Sequence, residues 1–383
     1  MDEALSRAQA LIASYDDELR RLLPDDAEIF DAHLHLGHDI DGTSGQYEEL
    51  EQVMDRYRIS RAFMFCMDEP DREPAFSGPN DRTLAHAERS GGRLIPFVRL
   101  DMNERPIEEA IRCLDLGARG IKLHPRAQRF ALNDERLAPV FELAADRKVP
   151  ILIHGGRGLP PIADHLRRLV GRYPGAQLII AHAGIADLAA LAGCFAGRQG
   201  VFFDTSVWSP VDLLDFFHQV PPEQILYASD YPYGRQPQSL TIALRTAITA
   251  GLNESQLRDM LSGNSNRIAD GEEPLEPSTP SGRDEFRQSM ALARVHQYLS
   301  MATPLLWTGQ ADTIGVIGLA LNACYERNGY PTELDQIKEL LSTAQELWRK
   351  LPDIEEEGER VLTRRSVFAL IHLADIIAVT PGA

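Results

Sequence analysis

The chain has 383 residues, 44% of them hydrophobic and 25% charged, with 39 basic against 57 acidic side chains and a net charge of −18. These proportions are those of a globular chain, long for one domain and comfortable for two. So acidic a surface repels nucleic acid and anionic membranes, so neither is expected as a partner, but it says little about the substrate, because a local basic pocket can coexist with an acidic exterior.

The first segment, MDEALSRAQALIASYDDELRRLL, is charged and amphipathic with no uninterrupted apolar stretch. It reads as a helix, and as neither a signal peptide nor a membrane span. From residue 28 onward, short apolar runs alternate with helical patterns. The runs are 28–35, 61–67, 94–100, 119–124, 149–154, 177–182, 201–206 and 225–230. Each is rich in Ile, Leu, Val and Phe, as buried parallel strands are. Between them, 106–116 opens on Pro106 and closes before Gly117, and 133–146 and 161–172 carry helical apolar spacing. Eight β-α units predict an α/β chain folded as a (β/α)8 TIM barrel. A doubly wound open sheet would place a Gly-rich phosphate loop after its first strand, and DAHLHLGHD is not one.

Residues 271–283, GEEPLEPSTPSGR, have no periodicity and predict a linker. Beyond it, helical patterns at 284–302, 310–328, 332–350 and 355–378 predict an all-α module. The expected organisation is therefore a barrel over 1–270 with the N-terminal helix packed on it, a linker, and a helical module over 284–383. The apolar stretch 313–324 is too short to cross a bilayer and reads as bundle core. The module could dimerise the protein, cap the barrel mouth or bind a partner. Cys66, Cys113, Cys194 and Cys324 lie too far apart for zinc-finger spacing. Cys66 and Cys194 read as core residues, and the set fits a reducing cytoplasm.

Five of the eleven histidines fall at the C-terminal ends of candidate strands: His33, His35, His124, His154 and His182. Asp204 and Asp230 sit near the ends of the last two. In this fold those ends face the active site. His33 and His35, two apart on a strand, point the same way and can close on one cation. His154 and Asp230 approach from across the barrel. Such N/O ligands with an open position suit one divalent ion, Zn²⁺ with Mn²⁺ or Fe²⁺ as alternatives. Taken singly, each histidine could be a core residue satisfied by a backbone carbonyl, and Asp230 a turn former; together they bury too many polar groups for a barrel without a task.

These residues resemble the amidohydrolase superfamily, in particular its amidohydrolase-related branch. DAHLHLG, GIKLHPRAQ, ILIHGG, LIIAHAG and ASDYPYG carry the resemblance, in that order, over residues 29–268. The resemblance implies His33, His35, His154 and Asp230 as metal ligands. It implies His182 as the residue that contacts substrate, metal-bound water or a second metal. In two-metal members a lysine corresponding to Lys122 is carbamylated and bridges the ions; the IKLHP pattern is closer to the single-metal members, so one ion is expected, with Lys122 and His182 the route to a second.

The ligands imply hydrolysis of an ester, lactone or amide. Asp230 takes the proton of the activated water, and His182 polarises the carbonyl or protonates the leaving group. His124 and Lys122 are placed in the pocket. Arg126, Arg129 and Arg157 could grip a substrate carboxylate or could be solvated loop cations. His38 reads as a loop residue, Asp204 as a group that orients Lys122 or a ligand histidine, and Trp208 as pocket lining or loop packing. Two other functions compete. One is non-oxidative decarboxylation of an aromatic or unsaturated acid with the same metal set. The other is an inactive barrel serving as a binding scaffold.

Overall fold

The structure is a computed structural model that describes residues 3–282, 288–310, 312–326 and 329–383. Each of the eight predicted runs carries a strand. They are β1 (Ile29–His38), β3 (Ile59–Cys66), β4 (Leu94–Arg99), β5 (Gly120–Leu123), β6 (Ile151–Ile153), β7 (Leu178–Ile180), β8 (Val201–Asp204) and β9 (Ile225–Leu226). The two-residue β2 (Ser44–Gly45) was not foreseen; it pairs antiparallel with the end of β1, Gly37 opposite Gly45. The sheet runs β2-β1-β3-β4-β5-β6-β7-β8-β9, parallel from β1 onward. Helices connect the parallel strands, as parallel pairing requires.

The sheet curls until β1 meets the segment beyond β9. Ala32 N donates to Tyr227 O at 2.9 Å, Asp230 N to His33 O at 2.9 Å, and His35 N to Tyr231 O at 2.7 Å. The two faces of the strands hold separate cores. Phe30, Phe63, Phe65, Phe97, Leu152, Ile179 and Phe202 pack together on the concave side. Ile121, Leu123, Ile151, Ile153, Leu178 and Phe203 alternate with them and pack against helices. This alternation explains why near-continuous apolar runs were needed.

After residue 271 no regular element is described until helix Met290–Trp307; the expected helix start at 284–287, and Arg283 of the linker, lie outside the described residues. Helices Thr313–Ala323, Pro331–Lys350 and Glu357–Val379 come near their expected places, with 311, 327 and 328 again outside. The N-terminal helix, Glu3–Leu22, packs on both parts of the chain. Ala4, Leu5, Ala8 and Tyr15 join the core of the C-terminal helices, while Leu19 joins the core beneath the strands with Leu22 packed against it. The cysteines are free, three buried and Cys194 partly exposed. No described helix is long and apolar enough to cross a membrane.

The last helix is fastened to the strand-bearing part. Ile376 and Val379 belong to the core that lies under the sheet. Arg245, 5% exposed, donates from Nε to Thr380 Oγ1 at 2.9 Å and from Nη2 to Thr380 O at 2.7 Å, and pairs with Glu18. One guanidinium thus joins the first helix, the helix Gln238–Ala250 and Thr380 at the end of the last helix. Arg245→Ala takes the guanidinium from Glu18 and leaves the Thr380 carbonyl only the long bond from Ala383 N at 3.4 Å. It is expected to destabilise the full chain by about 3 kcal/mol, measured by urea unfolding; a change within experimental error would show that this junction bears no load.

Candidate metal centre

Strict alternation along β1 would put Ala32 and His33 on opposite faces. The structure instead breaks register between Asp31 and Leu34. Phe30 and Ala32 join the concave core, Leu34 and Leu36 join the outer one, and His33 and His35 converge on the concave side. A bulge of this kind re-aims side chains. Asp31 holds it: its Oδ1 accepts from His33 N at 3.2 Å and from Ser229 N at 2.9 Å, tying β1 to the segment that carries Asp230. Burial raises the Asp31 carboxyl to about 7 against those hydrogen bonds.

His33 Nε2 and His35 Nε2 lie 3.3 Å apart, and Asp230 Oδ1 is 3.3 Å from both. These ligand atoms fall within 4.8 Å of one another and could hold a metal ion. The opposite ring nitrogens are engaged: His33 Nδ1 donates to Asp204 Oδ2 at 2.8 Å, and His35 Nδ1 to the Cys66 carbonyl at 3.4 Å. That tautomer turns both Nε2 lone pairs to one point, as metal-binding imidazoles require. Burial, reinforced by the Lys122 charge, keeps both rings well below the usual imidazole range and therefore neutral. Burial lifts the Asp230 carboxyl to about 6 against the pull of His182 and Lys122; a bound cation would draw it down again. The donor set fits a divalent cation.

Asp230 has φ 60° and His182 has φ 58°, both in the left-handed region. Non-glycine residues held there commonly mark functional sites. For His182 the turn has a direct consequence. Ala181 packs inward and Ala183 outward, so regular strand geometry would carry His182 out of the site. In its actual conformation Nε2 meets His154 Nδ1 at 2.9 Å, while Nδ1 lies 2.9 Å from the Ser206 carbonyl. His33, His182 and Asp204 form a second group within 4.8 Å. Asp204 is committed elsewhere in it, to His33 Nδ1 through Oδ2, and to His182 N at 2.8 Å and the Ser206 hydroxyl through Oδ1.

His154 falls in neither group; it pairs with His182 and stacks on His124 at 3.9 Å between ring centroids. Burial, then Lys122, pushes His124 down to about 2. Lys122 is buried with Nζ 3.2 Å from His33 Nε2 and 4.5 Å above the Phe65 ring. Burial lowers it to about 7 against Asp204 and Asp230. Arg126, Arg129 and His38 are exposed, and Arg157 reaches Asp212 at 3.3 Å across the surface. Trp208 stacks on His372 of the last helix at 5.6 Å.

Sequence reasoning passed over four residues. Asp31 and Ser206 position ligands, and their signal was adjacency to HxH and to Asp204. Tyr233 sets its ring edge-on to His35 at 5.8 Å and donates its hydroxyl to Asp39 at 2.9 Å. Arg99 ends β4, where a charged residue on the concave face of an apolar run was itself the signal.

A family model described as Amidohydrolase matches residues 30–268. Among curated proteins, the dihydroorotase of Pseudomonas entomophila (strain L48) is 26% identical over 196 residues, covering 45% of this chain and 52% of that protein, so the chain spans about half the length of this relative. A Staphylococcus aureus protein named as an amidohydrolase superposes with a TM-score of 0.51 at 17% identity, over 63% of this chain and 99% of its own. The 5-carboxyvanillate decarboxylase of Sphingomonas paucimobilis gives 0.49 at 15% identity, over 64% and 99%. At such identities the structural likeness speaks to the fold alone.

Proposed function

Because the chain belongs to the amidohydrolase family, we propose that it is a hydrolase that cleaves an ester, lactone or amide of a small molecule, using one divalent cation held by His33, His35, His154 and Asp230. The observation that carries this reading is the convergence of two neutral Nε2 atoms and one carboxylate oxygen within 3.3 Å, each imidazole fixed from behind by an acceptor. The β1 bonds to residues 227–231 support a closed (β/α)8 barrel over 1–270, with the site at the strand C-termini. The linker over 271–283 and the helical module over 284–383 complete it, the module bracing the barrel through Thr380 and His372.

When bound, the cation supplies Lewis acidity and lowers the pKa of its water from ~15.7 toward ~7. Asp230 is the carboxylate placed to take the proton released as the substrate is attacked. His182 polarises the substrate carbonyl or protonates the leaving group; its ring is held by Ser206 on one side and His154 on the other. His124 and Lys122 complete the wall on which the substrate rests. The buried Asp204 keeps His33 in the tautomer that offers Nε2.

One ion is held, with Lys122 unmodified, and Zn²⁺, Mn²⁺ or Fe²⁺ fits the ligands. Metal analysis of the purified full chain is expected to return one ion per chain; two would overturn the single-ion reading. A panel of esters, lactones and amides is expected to be hydrolysed without gas release. Evolution of CO₂ from an aromatic or unsaturated acid, with every ester, lactone and amide untouched, would show a decarboxylase instead.

A further inference from the structure

Arg99 lies on the concave face of the sheet, level with Lys122, its register partner on β5. Its residue is 2% exposed. Nη1 reaches the Cys66 carbonyl at a long 3.4 Å, while Nε and Nη2 find no hydrogen-bond partner among the described residues. Those two nitrogens present parallel N–H groups on one edge of the guanidinium, the fork that matches a carboxylate bidentately. A buried guanidinium without an anion is costly, so the arrangement points to one that arrives with a ligand. The surroundings agree. The Arg99 charge is felt at His35 and His124, on the metal-facing side. Nearby, Asp68 feels Arg99, Arg72 and Arg129 against Asp39, and its nearest ion pair is to Arg72 Nε at 3.3 Å, so it does not cap the Arg99 fork.

We propose that Arg99 is a specificity-determining residue of this site: its Nε and Nη2 receive a carboxylate of the substrate, so the compound hydrolysed also carries an acid group beside the bond that breaks. What is hydrolysed rests on the reading above; the carboxylate seat rests on Arg99 alone. Arg126 and Arg157, both solvated, do not offer a comparable buried fork.

The test is calorimetric titration of the metal-loaded full chain with succinate, glutarate and benzoate, each beside its uncharged amide. At least one acid is expected to bind saturably where its amide does not, and Arg99→Met to weaken it about 30-fold or more. Arg99→Lys, which keeps the charge and loses the fork, should fall between. Metal content should be unchanged, and the thermal midpoint of unliganded Arg99→Met equal to or above that of the parent, because a buried charge whose partners among the described residues are the Phe76 ring and one carbonyl has been removed. Acids that bind Arg99→Met as they bind the parent, or that do not bind the parent at all, would overturn the proposal. So would a loss of unliganded stability that Asp68→Asn reproduces, since Arg99 would then serve an internal ion pair. Should Arg99→Met fail to fold, Arg99→Lys binding the acids with undiminished affinity is the overturning result. Binding is read without turnover. Arg99-dependent acid binding with no hydrolysis sinks the hydrolase reading alone; hydrolysis of neutral esters with no such binding sinks the carboxylate seat alone.

Discussion

Asp230→Asn is expected to reduce turnover about 10³-fold or more while leaving the chain folded. The carboxylate serves twice: one oxygen closes the ligand triangle with His33 and His35 at 3.3 Å, and the group is the only acidic side chain proposed to take a proton. An amide keeps the shape and the backbone bonds of residue 230 to His33 O and Gly234 N, so the left-handed turn survives. It cannot accept the proton and binds a cation poorly. The check is kcat alongside circular dichroism and metal content. Full activity in the variant would remove Asp230 from the chemistry; lost activity with retained metal would assign it to proton transfer rather than ligation.

Stripping the metal should be as severe. Dialysis of the full chain against a chelator is expected to abolish hydrolysis, and Zn²⁺, Mn²⁺ or Fe²⁺ to restore it. The same additions should raise the unfolding midpoint, because an ion that binds only the folded chain at about 1,000 times its dissociation constant adds about 4 kcal/mol. The stabilisation should vanish in His35→Ala, which removes one Nε2 from the triangle while His33 keeps its bond to Asp204. Activity that survives exhaustive chelation would mean that the histidines act without a metal, and a midpoint insensitive to metal in the parent chain would mean that the triangle holds none.

Most of the architecture is readable in the order of the residues, for a physical reason. A parallel strand buried on both faces has no room for polar residues, so each strand announces itself as an apolar run, and the helices between need amphipathic spacing. The polar residues that interrupt those runs near their ends then stand out: His33, His35, Lys122, His124, His154 and Asp204 all do so. The helical segments after residue 290 were legible for the same reason, but their attachment was not. Nothing local in Arg245 or Thr380 signals that they meet across 135 positions of chain.

By itself the sequence determined the α/β alternation, the eight strand positions, and which imidazoles and carboxylates stand near strand ends, because these depend on local periodicity and on the cost of burying polar groups. Only the tertiary structure decided which of them converge. The broken register at Asp31–Leu34, the left-handed turns at His182 and Asp230, and the Arg99 fork, unpaired among the described residues, arise from contacts between distant strands. Local sequence encodes the faces of an element; the geometry of a site is set by how those faces are brought together.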